Sequence, residues 1–334
     1  MAKQPTIKNT IIHGYLKKFK EATNAGLARK IYKENPTVFK NIESVRSLIR
    51  LATGNSGNIK QKLSVKDKSQ FKPAKKSNDY CLPESYSNDY TPYEIKQSRV
   101  LIISDLHFPY QNNKAITLAL DYGKLKKVDC ILINGDLIDF ANISRHEKDF
   151  RARSIAEEFE SVRVFLKSLR LHFPKTKIVL KYGNHDERWE KFLYSKAPEI
   201  FDVSDFQLDI LLRFGELKID VVKDKRPIKL GKLTALHGHE LAGGGAGGVN
   251  PARATFLKTI DSVIVGHYHK TSQHTETTLS GEVISVNSVG CLCDLNPLYM
   301  PINKHNLGFA YCEVNIKTGE YHLENLKIIK GKVY

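Results

Sequence analysis

The chain has 334 residues, with 52 Lys and Arg against 36 Asp and Glu, a net charge of +16 and a mean hydropathy of −0.36. That length suits one large α/β domain with an appendage, or two domains, with an ample buried core. No apolar run approaches the roughly 18 residues that span a bilayer, and the basic N-terminus lacks the apolar segment of a signal peptide, so a cytoplasmic protein without a membrane span is the expectation.

The excess charge sits at one end. Residues 1–78 hold 18 Lys and Arg against 4 Asp and Glu, whereas the other 256 residues hold 34 against 32. This asymmetry points to a polyanionic partner, nucleic acid, for the first quarter of the chain. Residues 1–58 read as a basic helical region. Ala25 to Tyr32 carries Leu27 and Ile31 at a four-residue spacing, and Asn35-Pro36 breaks the pattern. Asn41 or Ser44 caps a second helix with Val45, Leu48, Ile49 and Ala52 on one face. Two short helices and a turn, carrying Arg29, Lys30, Lys33, Arg46 and Arg50, resemble a helix-turn-helix unit, and those five residues are the expected nucleic-acid contacts. A solvated tail or a helical pair packed on a neighbour is the alternative. Residues 59–98 read as a basic, polar linker.

From Arg99 the pattern alternates between strands and helices. Helices are expected over 111–127, 151–171 and 186–196, with Pro251 in the first turn of a fourth. After His269 only strands are expected, over 273–279, 282–289, 308–316 and 319–329. Residues 99–334 therefore read as an α/β domain, a two-sheet β-sandwich flanked by helices. Five scattered cysteines (Cys81, Cys130, Cys291, Cys293 and Cys312) form no CxxC pair, which points to a reduced, cytoplasmic setting. Cys291 and Cys293 read as packed thiols at a strand end.

Five apolar runs end in metal-type side chains: "RVLIISDLH", "VDCILINGD", "KIVLKYGNHD", "KLTALHGHE" and "DSVIVGHYH". Polar residues just past buried strands collect at one edge of a sheet, so these five segments can meet in one cleft. Strand alternation is expected to aim Asp105 and His107 to the same side, and Gly135 to clear a path for Asp136. Such donors suit two cations roughly 3.5–4 Å apart, the arrangement that clamps a phosphoryl transfer.

The set DxH, GD, GNHD, LHGH and GHYH over about residues 99–330 resembles the calcineurin-like metallophosphoesterase family. The resemblance implies a phosphoester hydrolase with Asp105, His107, Asp136 and His269 on one metal. Asp136, Asn184, His237 and His267 would take the second, with Mn2+ as the expected ion and Fe, Zn2+ or Ni2+ as alternatives. It further implies that His185 assists the leaving group in an attack by metal-activated water, and that Asp139 orients His185. His239 is the rival to His237. Phe140 stands where the Ser/Thr protein phosphatases of this family carry a phosphate-binding Arg, which disfavours that branch. Arg145, His146 and Arg188 are weaker candidates for contacts to substrate phosphate, and "LAGGGAGGVNPAR" is read as a rim of the cleft.

The layout also resembles phosphoesterases encoded by phages and mobile elements, which implies action in a host cytoplasm. The expected function is a nuclease or phosphodiesterase. Its rivals are a phosphatase or phosphodiesterase for nucleotides or other small molecules, and a nucleic-acid-binding protein with an idle metal site.

Overall fold

A computed structural model describes residues 6–20, 22–53, 83, 90–144, 154–242, 248–297 and 300–334. The chain divides into two compact units, residues 1–85 and 86–334.

The first unit holds three helices, α1 (Ile7–Lys18), α2 (Asn24–Glu34) and α3 (Ile42–Ala52). They bury Ile12, Leu27, Ala28, Ile31, Phe39, Val45 and Ile49 in a common core. Thr23 caps α2 by accepting from Gly26 N. Asn41 and Ser44, expected as alternatives, act together in a reciprocal capping box at α3. α1 was not expected. Gly14 and β-branched Ile7, Thr10, Ile11 and Ile12 weaken its local helix signal, and its order comes from packing on α3 and from Tyr15, whose hydroxyl donates to Glu34.

In the second unit a seven-stranded sheet runs β13-β12-β11-β2-β3-β4-β5 and a six-stranded sheet runs β1-β6-β7-β8-β10-β9. The strands are β1 (Tyr93–Glu94), β2 (Arg99–Ile103), β3 (Cys130–Asn134), β4 (Lys177–Lys181), β5 (Ile219–Val222), β6 (Ile228–Leu230), β7 (Leu233–Leu236) and β8 (Val263–Val265). They continue as β9 (Ser272–Thr277), β10 (Val283–Ser288), β11 (Leu307–Val314), β12 (Tyr321–Ile329) and β13 (Lys332–Val333). The helices are α4 (Asn113–Leu125), α5 (Ile155–His172), α6 (Glu187–Lys196), the single turn α7 (Leu208–Leu211) and α8 (Pro251–Thr259).

Alternation along the strands builds the layers. Val100, Ile102, Leu132 and Val179 face Ile228, Leu230, Leu233 and Ile264 in the core between the sheets. Their neighbours Leu101, Ile103, Ile131, Ile133, Ile178 and Leu180 face Ala115, Ala119, Val162 and Leu166 of α4 and α5. On the far side Val263, Val265 and Val286 take Ala252 of α8. The result is the expected sandwich flanked by helices.

Two expectations shift. β5 and β6 were missed, because four- and three-residue strands carrying Asp220 and Lys229 are too short to show a period. The expected linker, 59–98, ends early: Tyr93–Glu94 pairs in parallel with Ile228–Lys229, and Ile95 is buried. Residues 59–82 and 84–89 of that linker lie outside the described residues.

Candidate metal centre

β2, β3 and β4 run parallel in one sheet, and β7 and β8 run parallel in the other. The motif residues follow the C-terminal ends of these five strands and converge. The loops after β2 and β3 stay zipped beyond the strands, Asp105 N donating to Gly135 O (3.1 Å) and His107 N to Asp136 O (3.0 Å).

The inward aim of Asp105 and His107 does not come from strand alternation. β2 ends at Ile103, and the two residues have φ of 56° and 50°. Asp136 (54°), His267 (65°) and His269 (53°) share this left-handed region. Non-glycine residues cost about 1–3 kcal/mol each there, so the surrounding hydrogen bonds must hold them. Gly135 does more than clear a path: a Cβ on it would lie 2.3 Å from His237 Nδ1. A Cβ on Gly183 would lie 2.2 Å from Asp136 Oδ1.

The donor atoms meet closely. His269 Nε2 lies 3.2 Å from Asp105 Oδ1, and His107 Nε2 lies 3.6 Å from Asp136 Oδ2. On the other side of Asp136, His237 Nε2 lies 3.2 Å from Oδ2 and 3.3 Å from Asn184 Oδ1. Asp105, His107 and Asp136 form one group, and Asp136, His237 and His267 another, each with ligand atoms within 4.8 Å of one another. Asp136 belongs to both. Asp105 also accepts from His267 N, at 3.1 and 3.0 Å.

Two observations fit a cation here. His107 Nε2 and His269 Nε2 face each other at 3.1 Å, while their Nδ1 atoms face Asp139 and Cys293. With both rings neutral and protonated on Nδ1, two lone pairs would meet, a conflict that either a shared cation or a further proton on His269 relieves. The second is charge. Burial disfavours imidazolium at His237 and His269, yet Asp136 and Asp105 overcome it and push them up to about 10 and about 9 in the metal-free protein. The buried carboxylates demand positive charge, and mixed His, Asp and Asn donors suit a divalent metal.

His185 belongs to neither of these two groups, although its Nε2 lies 4.0 Å from Asp136 Oδ2 and it forms a further group with His107 and Asp139. Its Nδ1 lies 2.9 Å from Asp139 O and 3.1 Å from Asp139 Oδ1, and its ring is edge-on to His107 at 4.4 Å. Asp139 thus serves two histidines, since His107 Nδ1 lies 2.8 Å from the same Oδ1. Burial opposes protonation of His185, but Asp136 and Asp139 outweigh it and raise its pKa. Arg188 donates to Asp139 O (2.8 Å) and, through Nη2, approaches His185 Nε2 (3.0 Å). His239 turns to Glu187 Oε1 (3.0 Å), so His237 is the imidazole that enters the donor cluster. Phe140 is buried against Trp189 and Phe159 and offers no cation to the cleft. Arg145, His146 and Gly243–Gly247 of the glycine-rich rim lie outside the described residues.

Several supporting residues escaped the sequence reading. Asp186 accepts from the backbone N–H groups of Asp136, Leu137, Ile138 and Gly183, tying the loops after β3 and β4 together. Glu240 accepts from His237 N (3.0 Å) and Gly238 N (2.6 Å) and pairs with the fully buried Lys181 (2.8 Å). A Lys inside the apolar run "KIVLKY" was the available signal, because a buried Lys needs a partner. His305 stacks edge-on to His269 at 4.7 Å, far along the chain and without a motif to mark it. The four cysteines among the described residues (Cys130, Cys291, Cys293 and Cys312) are free and buried. None of the helices described is long and apolar enough to cross a membrane.

A model of the calcineurin-like phosphoesterase family matches residues 98–271. The chain is 29% identical over 184 residues to the gene 54 protein of Mycobacterium phage L5, covering 52% of this chain and 69% of that protein. It is 26% identical over 181 residues to the gene 54 protein of Mycobacterium phage D29, with the same coverage. Among solved structures, vacuolar protein sorting 29 from Cryptosporidium parvum matches with a TM-score of 0.40 and 14% identity, over 71% of this chain and 95% of that one. With its motif histidines and aspartates gathered at the strand ends and its family model covering more than half the length, this chain belongs to the calcineurin-like phosphoesterases and is a phosphoester hydrolase.

Proposed function

We propose that the chain is a two-metal phosphodiesterase that cleaves nucleic acid, with the basic residues 1–78 as its polyanion-binding arm. The observation that carries the reading is the meeting of seven donors and one further histidine from five strand ends in one buried cleft. Asp105, His107, Asp136 and His269 would hold one cation, and Asp136, Asn184, His237 and His267 the other. When bound, the divalent pair, Mn2+ in this reading, supplies Lewis-acid polarisation of the phosphoryl oxygens and a lowered pKa for the attacking water.

The protein's own groups then divide the remaining work. Asp139 orients His185 through Nδ1, which leaves Nε2 to face the leaving oxygen. In the structure Arg188 Nη2 faces that Nε2, which requires a neutral ring nitrogen there. A phosphate oxygen is a stronger acceptor than an imidazole, so entering substrate draws the guanidinium to itself. His185, its pKa raised by Asp136 and Asp139, then carries the proton to the leaving group. Arg188 is assigned to the substrate phosphate.

The nucleic-acid reading rests on charge. Arg29, Lys33 and Arg50 are exposed on α2 and α3, whereas Lys30 pairs with Glu34 (2.7 Å) and Arg46 with Glu43 (2.6 Å). Action in a host cytoplasm is supported by the phage relatives and the free thiols.

The test is Mn2+-dependent hydrolysis of bis-p-nitrophenyl phosphate, single- and double-stranded DNA, RNA and mononucleotides, with Asp136→Ala and His185→Ala as controls. Activity surviving in Asp136→Ala refutes the mechanism. For the arm, replacing Arg29, Lys33 and Arg50 by Gln in the full chain should flatten the salt dependence of DNA binding by about 0.9 per lost phosphate contact. An unchanged slope removes these three residues from the interface.

A further inference from the structure

The histidines of the cleft differ in what holds their outer nitrogen. His107 Nδ1 meets a carboxylate oxygen of Asp139 at 2.8 Å, and His237 Nδ1 meets Asn134 O at 2.8 Å. His185 Nδ1 meets Asp139 O at 2.9 Å. His269 departs from this pattern, because its Nδ1 faces Cys293 Sγ at 3.9 Å. We infer that Cys293 is the positioning residue for His269: its sulfur accepts the Nδ1–H and so fixes the tautomer that offers the Nε2 lone pair to a cation beside Asp105 and His107. The inference rests on the two-metal reading above. It concerns a residue beyond the segment 98–271 that the family model matches.

The backbone around Cys293 gives the contact its definition. Leu292 N donates to Asp105 O (3.1 Å), Asn112 N to Leu292 O (2.8 Å) and Asp294 N to Tyr110 O (2.8 Å). The residues flanking Cys293 are thus laced to the very loop that carries Asp105 and His107. Cys293 is 4% exposed and His269 8% exposed, so the contact lies in a buried place. The neighbouring Cys291 thiol shares a hydrogen bond with the Cys293 thiol and lies 3.6 Å from Asn306 O, so Cys293 is held by Cys291 as well as by His269. Sulfur is a weak acceptor, so His269 is held less firmly than His107 with its carboxylate partner. Of the two cation positions, the one that includes His269 is therefore the one whose affinity depends on a thiol.

The experiment is a titration of the full-length metal-free protein with Co2+, followed by visible absorption and by competition with a chelator. Wild type is expected to show two binding events. Cys293→Ala should weaken one of them about 10–100-fold and leave the other unchanged, the range seen when an outer partner of a metal-ligating histidine is removed. Cys293→Ser, which restores an acceptor, should recover a large part of that loss. Far-ultraviolet circular dichroism and melting of the metal-free variants are expected to match wild type. Two wild-type affinities in Cys293→Ala would overturn the inference, as would equal weakening of both events. A sulfur-to-Co2+ charge-transfer band in wild type would also overturn it, by making Cys293 a direct ligand. Failure of wild type itself to bind Co2+ would instead remove the metal-centre reading.

Discussion

Replacing Lys181 by Met takes away the cation that lies 2.8 Å from Glu240 in a place water does not reach, since the Lys181 side chain is 0% exposed and that of Glu240 is 8% exposed. Breaking a buried pair by removing one partner costs about 3–5 kcal/mol, because the other charge stays buried. Here Glu240 keeps the N–H donors of His237 and Gly238, so the expected loss lies near the lower limit, about 3 kcal/mol, or about a hundredfold in the folding constant. The pH dependence gives the cause a signature. Burial alone would raise the Glu240 pKa, and the nearby Lys181 reverses this and brings it down to about 2. In wild type the depressed carboxylate contributes stability that is present above the ordinary value of 4.5 and is lost as pH falls toward 2. In Lys181→Met the largest of the charges that lower the Glu240 pKa is gone and only those of His237 and His239 remain, so that pKa rises and protonation as the pH is lowered shrinks the penalty. Urea unfolding of the metal-free protein at pH 7 and at pH 4.5 measures both effects. A loss below about 1 kcal/mol at pH 7, or a loss that does not shrink at pH 4.5, would refute the account of a pair that pins the His237 loop.

Three further outcomes follow from the same geometry. Burial opposes protonation of His237 and His269, but Asp136 and Asp105 raise them to about 10 and about 9 in the metal-free protein, so a metal held by these two rings would have to displace protons from them. Affinity should rise with pH between 6 and 9, with proton release seen as a buffer-dependent calorimetric heat; binding without proton release would contradict this. Gly135→Ala places a methyl against His237 and strains a residue at φ 91°, so it should destabilise the fold by at least about 2 kcal/mol in chemical unfolding and abolish binding at the position that includes His237. Arg188→Ala should raise KM for a charged phosphodiester at least about tenfold and leave metal binding intact, because its guanidinium meets His185 and Asp139 and none of the metal donors.

The grouping of the candidate donors was legible because each motif is local. An apolar run of five or so residues followed by Asp, His or Asn announces a buried strand and a polar terminus together, and the structure brings Asp105, His107, Asp136, Asn184, His237, His267 and His269 into one cleft. The alternating pattern and the final β run likewise announced the flanked sandwich. Tertiary structure decided how the donors are aimed. Strand alternation does not turn Asp105 and His107 inward; left-handed backbone does, and that conformation is held by hydrogen bonds to a loop thirty residues away. It also decided that His237 rather than His239 enters the cluster, through the Glu187 contact of the latter. Lys181, Asp186, Glu240 and Cys293 hold the loops and rings through partners that only folding brings near, and α1 acquires its helix from packing on α3. Propensity and periodicity read nearest neighbours along the chain, so they reported which groups exist and on which strands. Backbone strain, tautomer and buried charge balance are properties of groups distant in sequence, and those were set when the two sheets closed on each other.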